Sequence, residues 1–155
     1  MRVLLVAVGR LRPAFREICD DYLRRFGRYL AIDEREVREA GRAANDAMRR
    51  AAEGKTLLAA IPEQSRVVLL DGEGTSWSSP EFAAQLDGWL RDARDWTFVV
   101  GGAAGVAPAV RHRADLAWSL GRLTLPHELA RVVVMEQLYR ASTILRGEPY
   151  HRGAR

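Results

Sequence analysis

Three short aliphatic runs, each stopped by glycine, constrain this chain more than any other feature. Val3 to Val8 halts at Gly9, Arg66-Val67-Val68-Leu69-Leu70-Asp71 halts at Gly72 and Gly74, and Trp96 to Val100 runs straight into Gly101-Gly102-Ala103-Ala104-Gly105. Runs this short and apolar on both sides read as strands buried on two faces, the pattern of a parallel sheet. Helical periodicity fills the intervals. Pro13 opens a first helix whose Phe15, Ile18, Cys19, Tyr22, Leu23 and Phe26 recur every three to four residues. A second is expected over Ala43 to Ala60, and a third starts at Ser79-Pro80-Glu81, with Ser79 as cap and Phe82, Leu86, Trp89 and Leu90 as its stripe. Ala31 to Val37 alternates weakly, as an edge strand does. Ala107 to Leu116 reads as a short helix, Ala117 to Leu120 as a short strand, and Pro126 opens a last helix to about Leu145. The expected fold is α/β, with a mainly parallel sheet and helices on both faces. At 155 residues and without a linker, low-complexity tract or repeat, it is read as a single domain.

Composition narrows the chemistry. A single cysteine, Cys19, excludes an internal disulfide framework and a multi-cysteine zinc site. His112, His127 and His151 lack metal-ligand spacing, so no metal is expected. No apolar run reaches the roughly 20 residues of a membrane span, and the N-terminus has no secretory cleavage pattern. A cytoplasmic, membrane-free protein is the expectation. The net charge is +4, and all but Lys55 of the 24 basic residues are arginine. Arg10/Arg12, Arg24/Arg25/Arg28, Arg111/Arg113 and Arg152/Arg155 are local groups able to meet a polyanion. Each alone is more often a solvated face.

Ligands of parallel sheets sit beyond the carboxyl ends of the strands. Three loops fit that place: Asp71 to Ser78, Gly101 to Val106 and Gly121 to Pro126. The Gly-Gly-x-x-Gly of the second is neither a dinucleotide fingerprint nor a phosphate-binding loop, because no Gly-x-Gly-x-x-Gly and no Gly-Lys-Ser/Thr is present.

Four ordered blocks carry a resemblance. They are Leu70-Asp71-Gly72-Glu73-Gly74 with Ser79-Pro80-Glu81-Phe82-Ala83, and Phe98-Val99-Val100-Gly101-Gly102-Ala103-Ala104-Gly105. Leu123-Thr124-Leu125-Pro126-His127-Glu128-Leu129-Ala130-Arg131 follows, then Glu136-Gln137-Leu138-Tyr139-Arg140-Ala141 through Pro149-Tyr150-His151. Together with Val6-Ala7-Val8-Gly9 and Tyr22-Leu23-Arg24-Arg25-Phe26, the chain resembles the RlmH family, 23S rRNA pseudouridine-N3 methyltransferases of the SPOUT class.

That resemblance implies a deep C-terminal trefoil knot, a homodimer, and S-adenosyl-L-methionine held by Leu70, Gly102, Gly121, Arg122, Leu123, Thr124, Leu125 and Pro126. The family carries serine near position 121, where this chain has Gly121-Arg122, so contacts there are expected through backbone. His127, Arg131, Tyr150 and His151 are the candidate catalytic groups. Either histidine is a candidate base, Arg131 an electrostatic partner, and Tyr150, His151 and Arg152 are candidate RNA contacts by stacking and phosphate pairing. The expected partner is 23S rRNA in the assembled ribosome. Methylation of another rRNA or tRNA position, and a non-catalytic RNA- or ribosome-binding module, are the competing readings. The Arg38 to Asn45 stretch and the Gly153 to Arg155 extension match no family feature.

Overall fold

A computed structural model describes residues 1–41 and 45–153. Its elements in chain order are β1 (Arg2–Val8), α1 (Pro13–Phe26), β2 (Ala31–Val37), α2 (Asp46–Ala60), β3 (Arg66–Ser76), α3 (Ser79–Asp92), β4 (Trp96–Val100), α4 (Pro108–Arg113), β5 (Leu116–Ser119) and α5 (His127–Leu145), followed by a 3-10 turn over Pro149–Gly153. The strands form one sheet in the order β2-β1-β4-β3-β5, and each pairing is parallel. The α/β expectation holds, with β2 at an edge. Val3, Leu5 and Ala7 of β1 face α1, α3 and α5, while Val6 and Val8 face α2 and α4. One apolar strand thus serves two layers, which is why it reads as a continuous run.

Four local boundaries differ from the sequence expectation, each for a physical reason. First, β3 does not end at Gly72. Leu70 and Thr75 both register with Trp118, so residues 71–74 bulge out of the ladder before Thr75 and Ser76 rejoin β5. Second, α3 is capped by Ser78 rather than Ser79. The Ser78 hydroxyl accepts the Glu81 N–H at 3.3 Å and the Glu81 carboxylate accepts the Ser78 N–H at 2.7 Å, a reciprocal box that satisfies two helix-end donors. Third, α4 stops at Arg113 and β5 starts at Leu116, because Asp115 is drawn into the sheet. Its carboxylate accepts the Val67 N–H at 2.8 Å and Arg66 at 2.9 Å, and its own N–H donates to Val67. Fourth, α2 starts at Asp46, capped by the Asn45 side chain; the expected start at Ala43 lies outside the described residues.

All four tryptophans gather on the α3 side of the sheet. Trp118 stacks on Phe82 at 4.3 Å and Trp89 on Trp96 at 4.0 Å, with Trp77 beside them. This cluster fixes α3 and leaves α5 to fill the space between α3 and α1. Val134, Met135, Leu138 and Ala141 of α5 are buried and half-buried Val132 packs against them, whereas Leu129 and Val133 stay half-buried outside the core clusters. Cys19 is fully buried, and burial pushes its thiol up to about 11.

Candidate active site

The bulge within β3 and the loops after β4 and β5 converge on a cavity of about 360 Å³. A groove of about 380 Å³ between α1 and β2 matches it in size, so convergence of strand-end loops, not volume, marks the site. Leu70 from β3, Gly102 from the β4 loop and the continuous stretch Gly121 to Leu125 all line this cavity, as does His127 at the start of α5. Pro126 does not; it occupies the N-cap position of α5. The walls are aliphatic, from Leu70, Val100, Val106 and Leu125, and much of the remaining lining is glycine. Glycine stretches leave backbone N–H and C=O groups open to a flat heterocycle, and the aliphatic walls suit its faces. Leu123 is 83% exposed although it lines the mouth.

The β4 loop is held from behind by α2. Arg50 donates to the Ala104 carbonyl at 3.1 Å. Glu53, only 2% exposed, accepts the Ala40 N–H at 3.0 Å. A Cβ built on Gly102 would meet Glu53 and Val8 at 3.0 Å, so added bulk there strains the packing behind the loop.

Arg131 is not among the lining residues. It is fully buried beneath the first turns of α5. Its guanidinium donates to the Gly9 carbonyl at 3.0 Å and to Glu36 at 2.7 Å, and lies 3.2 Å from Glu34. Arg16 meets Glu34 from α1 at 2.5 Å. Beside this network the Arg12 guanidinium and backbone N–H hold Glu128 at 2.7 and 3.0 Å and keep its carboxyl below the usual range. The turn that carries His127 is therefore clamped to the end of β1 and the edge strand.

The tail is docked, not loose. The Tyr150 hydroxyl lies 3.1 Å from that of Tyr22 and donates to Glu136 at 3.2 Å, while its ring meets Tyr139 edge-on at 4.8 Å. Burial and these partners push its phenol up. Arg140 covers the Tyr150 ring at 4.8 Å and sits 3.3 Å from Nδ1 of His151. Arg152 is exposed. Glu136 is nine residues beyond His127 on α5, about 13 Å along the axis at 1.5 Å per residue. Within one chain, Tyr150, His151 and Arg152 are thus set apart from the cavity.

Sequence reasoning missed one charged feature of the site. Asp71 and Arg111 both line the cavity and pair with each other. Asp71 belongs to the Leu70-Asp71-Gly72-Glu73-Gly74 block, but nothing in the sequence ties it to an arginine 40 positions away. Among the described residues, no cluster able to hold a metal ion is present, and no helix is long and apolar enough to cross a membrane.

Comparison with known proteins gives the family of the chain. Residues 1–151 match the family model described as "Predicted SPOUT methyltransferase". The curated relatives are similar throughout. A protein of Anaeromyxobacter dehalogenans is 46% identical over 98% of this chain and 100% of its own. One of Gloeobacter violaceus is 47% identical over 99% and 100%. One of Paracoccus denitrificans is 46% identical over 98% and 99%. Each of the three is named ribosomal RNA large subunit methyltransferase H. With a family match over residues 1–151 and relatives similar along nearly the whole chain, this chain belongs to the SPOUT methyltransferase family.

Proposed function

We propose that the protein methylates N3 of a pseudouridine in 23S rRNA, using S-adenosyl-L-methionine and acting as a single-domain homodimer on assembled ribosomes in the cytoplasm. The observation that carries this reading is the cavity built from the β3 bulge and the loops after β4 and β5, on a chain whose relatives are named for large-subunit rRNA methylation. Aliphatic walls and glycine backbone fit an adenosine, and a sulfonium needs no dedicated partner. The C-terminal trefoil knot belongs to the same reading; α5 returning from edge strand β5 to lie between α3 and α1 is in keeping with it.

When bound, the cofactor supplies an electrophilic methyl group and leaves as a neutral thioether. The protein's part is to orient the acceptor base and take its N3 proton. His127, which lines the cavity, and His151, delivered by a second subunit, are the two candidate bases in this reading. Tyr150 offers a stacking face and Arg152 a phosphate contact. Arg131, buried in its ion-pair network, acts as a positioning residue for the His127 turn rather than as a contact to substrate. Half-buried Leu129 and Val133 of α5, outside the core clusters, supply apolar surface for a symmetric partner.

Tritiated methyl transfer to ribosomes and to free rRNA, followed by nucleoside mapping, tests the reading. Label at a 23S pseudouridine, from ribosomes more than from free rRNA, is the expected result. Absence of label in both substrates overturns it.

The cavity itself has a clean probe. Ala130 lines it from α5, where a larger side chain is compatible with the helix. Ala130→Leu is expected to weaken cofactor binding by about tenfold or more through steric filling, with the melting temperature little changed. Unaltered calorimetric affinity in the folded variant would place the cofactor elsewhere.

A further inference from the structure

We infer that Asp71 and Arg111 form the subsite for the zwitterionic amino-acid end of the cofactor, an assignment that rests on the cofactor reading above. Among the residues that line the cavity, Asp71 is the one acid, and Arg111 stands against it. A cofactor with an α-ammonium and an α-carboxylate presents the complementary pair of charges.

The local structure holds both groups in place. Asp71 opens the β3 bulge, outside the ladder between Leu70 and Thr75. The bulge closes at Gly74, where a Cβ would lie 2.5 Å from the Ala117 carbonyl carbon, so the chain there is pressed against β5 and tolerates no side chain. One oxygen of Asp71 accepts the Glu73 N–H at 3.1 Å and the other meets Arg111. Its carboxylate is largely shielded, 12% exposed, whereas the guanidinium is 49% exposed. Arg111 projects from α4, which is anchored by fully buried Val110.

Donor counting leaves both groups free to take a ligand in exchange for water. A guanidinium carries five N–H donors, and a carboxylate accepts about four hydrogen bonds. Among the described residues, Arg111 uses only Nη1, on Asp71. Its remaining fork fits a carboxylate bidentately, as an ammonium could not. Asp71 keeps acceptor capacity for an α-ammonium while retaining its own contacts. The pair thus pre-organises two charged recognition elements, and the neutral glycine loops are left to read the adenosine.

The test compares two ligands that share adenosine and a neutral thioether but differ in the amino-acid end: S-adenosylhomocysteine and 5′-methylthioadenosine. Calorimetry on the full-length protein should show tighter binding of the first. Arg111→Met should weaken S-adenosylhomocysteine about tenfold or more, as expected for lost charge-assisted hydrogen bonds, and change 5′-methylthioadenosine by less than about twofold. Asp71→Asn should move the same ratio in the same direction. Arg111→Lys, which keeps the charge and loses the fork, should fall between wild type and Arg111→Met, and serves if the methionine variant does not fold. An equal loss for both ligands makes the pair a latch between β3 and α4 and overturns the subsite. So does a wild type without preference between them. If the wild type binds neither ligand, the cofactor reading fails, and the subsite with it.

Discussion

Removing Tyr150 to Arg155 should abolish methyl transfer to ribosomes while leaving cofactor affinity within about twofold, and a second subunit should be able to restore the loss. The first half follows from placement. The cavity loops end at Leu125, and the tail rests on Tyr22, Glu136, Tyr139 and Arg140, well along α5 from His127. Truncation therefore spares the pocket and deletes a stacking ring, an imidazole and an exposed arginine. It also uncovers the Tyr22–Arg140 patch, at a cost of about 1–2 kcal/mol in aromatic and cation–π contacts, so melting must be followed alongside activity.

The second half separates action within a chain from action across a dimer. Ala130→Leu, assayed at a cofactor concentration that its weakened pocket does not fill, lacks a working pocket but keeps its tail; the truncated chain keeps its pocket but has no tail. If the tail serves the partner's site, co-expressed mixed dimers own one complete site. Random pairing of equal amounts then regains about a quarter of wild-type turnover. No recovery, with both parents inactive, would confine the tail to its own subunit. Full activity of the truncated chain would remove Tyr150, His151 and Arg152 from the mechanism and leave His127.

What the sequence could and could not disclose divides along the range of the interactions. Buried parallel strands announce themselves locally, because both faces need apolar side chains, and so Val3 to Val8, Val67 to Leu70 and Trp96 to Val100 fell where expected. The glycine loops after them were equally plain, and they delivered the cavity. The bulge after Leu70 was not legible, because Thr75 and Ser76 rejoin the sheet only through β5, some 40 residues on. Asp115 ended α4 for the same kind of reason: its partners, Val67 and Arg66, are distant in sequence. The docking of the tail was not legible, because Tyr22 beneath Tyr150 lies 128 positions away. Arg131 misled most. One helical turn after His127, it looked free to share a pocket, whereas the acids that claim it come from the weakly alternating edge strand, 95 positions away at Glu36.

The burial of Arg131 predicts a large stability effect. Arg131→Met should lower the unfolding free energy by about 3–5 kcal/mol, the usual cost of stranding the partners of a buried ion pair. Glu34 and Glu36 lie on the same face of β2 and are bridged by Arg131 from one side and Arg16 from the other. Without the buried cation, Arg16, at 28% exposure, is left to neutralise two acids, and the Gly9 carbonyl loses its donor. Against a total stability of about 5–15 kcal/mol for a domain of this kind, that is a large fraction. Urea denaturation with an unchanged m-value measures it. Burial of the unpaired acids, not the loss of packing, is the cause, so Glu34→Gln in the Arg131→Met background should recover part of the loss, whereas Glu34→Gln alone should destabilise. Acids pointing inward on an edge strand also discourage another chain from pairing there. A loss below about 1 kcal/mol for Arg131→Met, the scale of a surface pair, would mean that the guanidinium is solvated after all, and would return Arg131 to the candidates for direct contact with substrate.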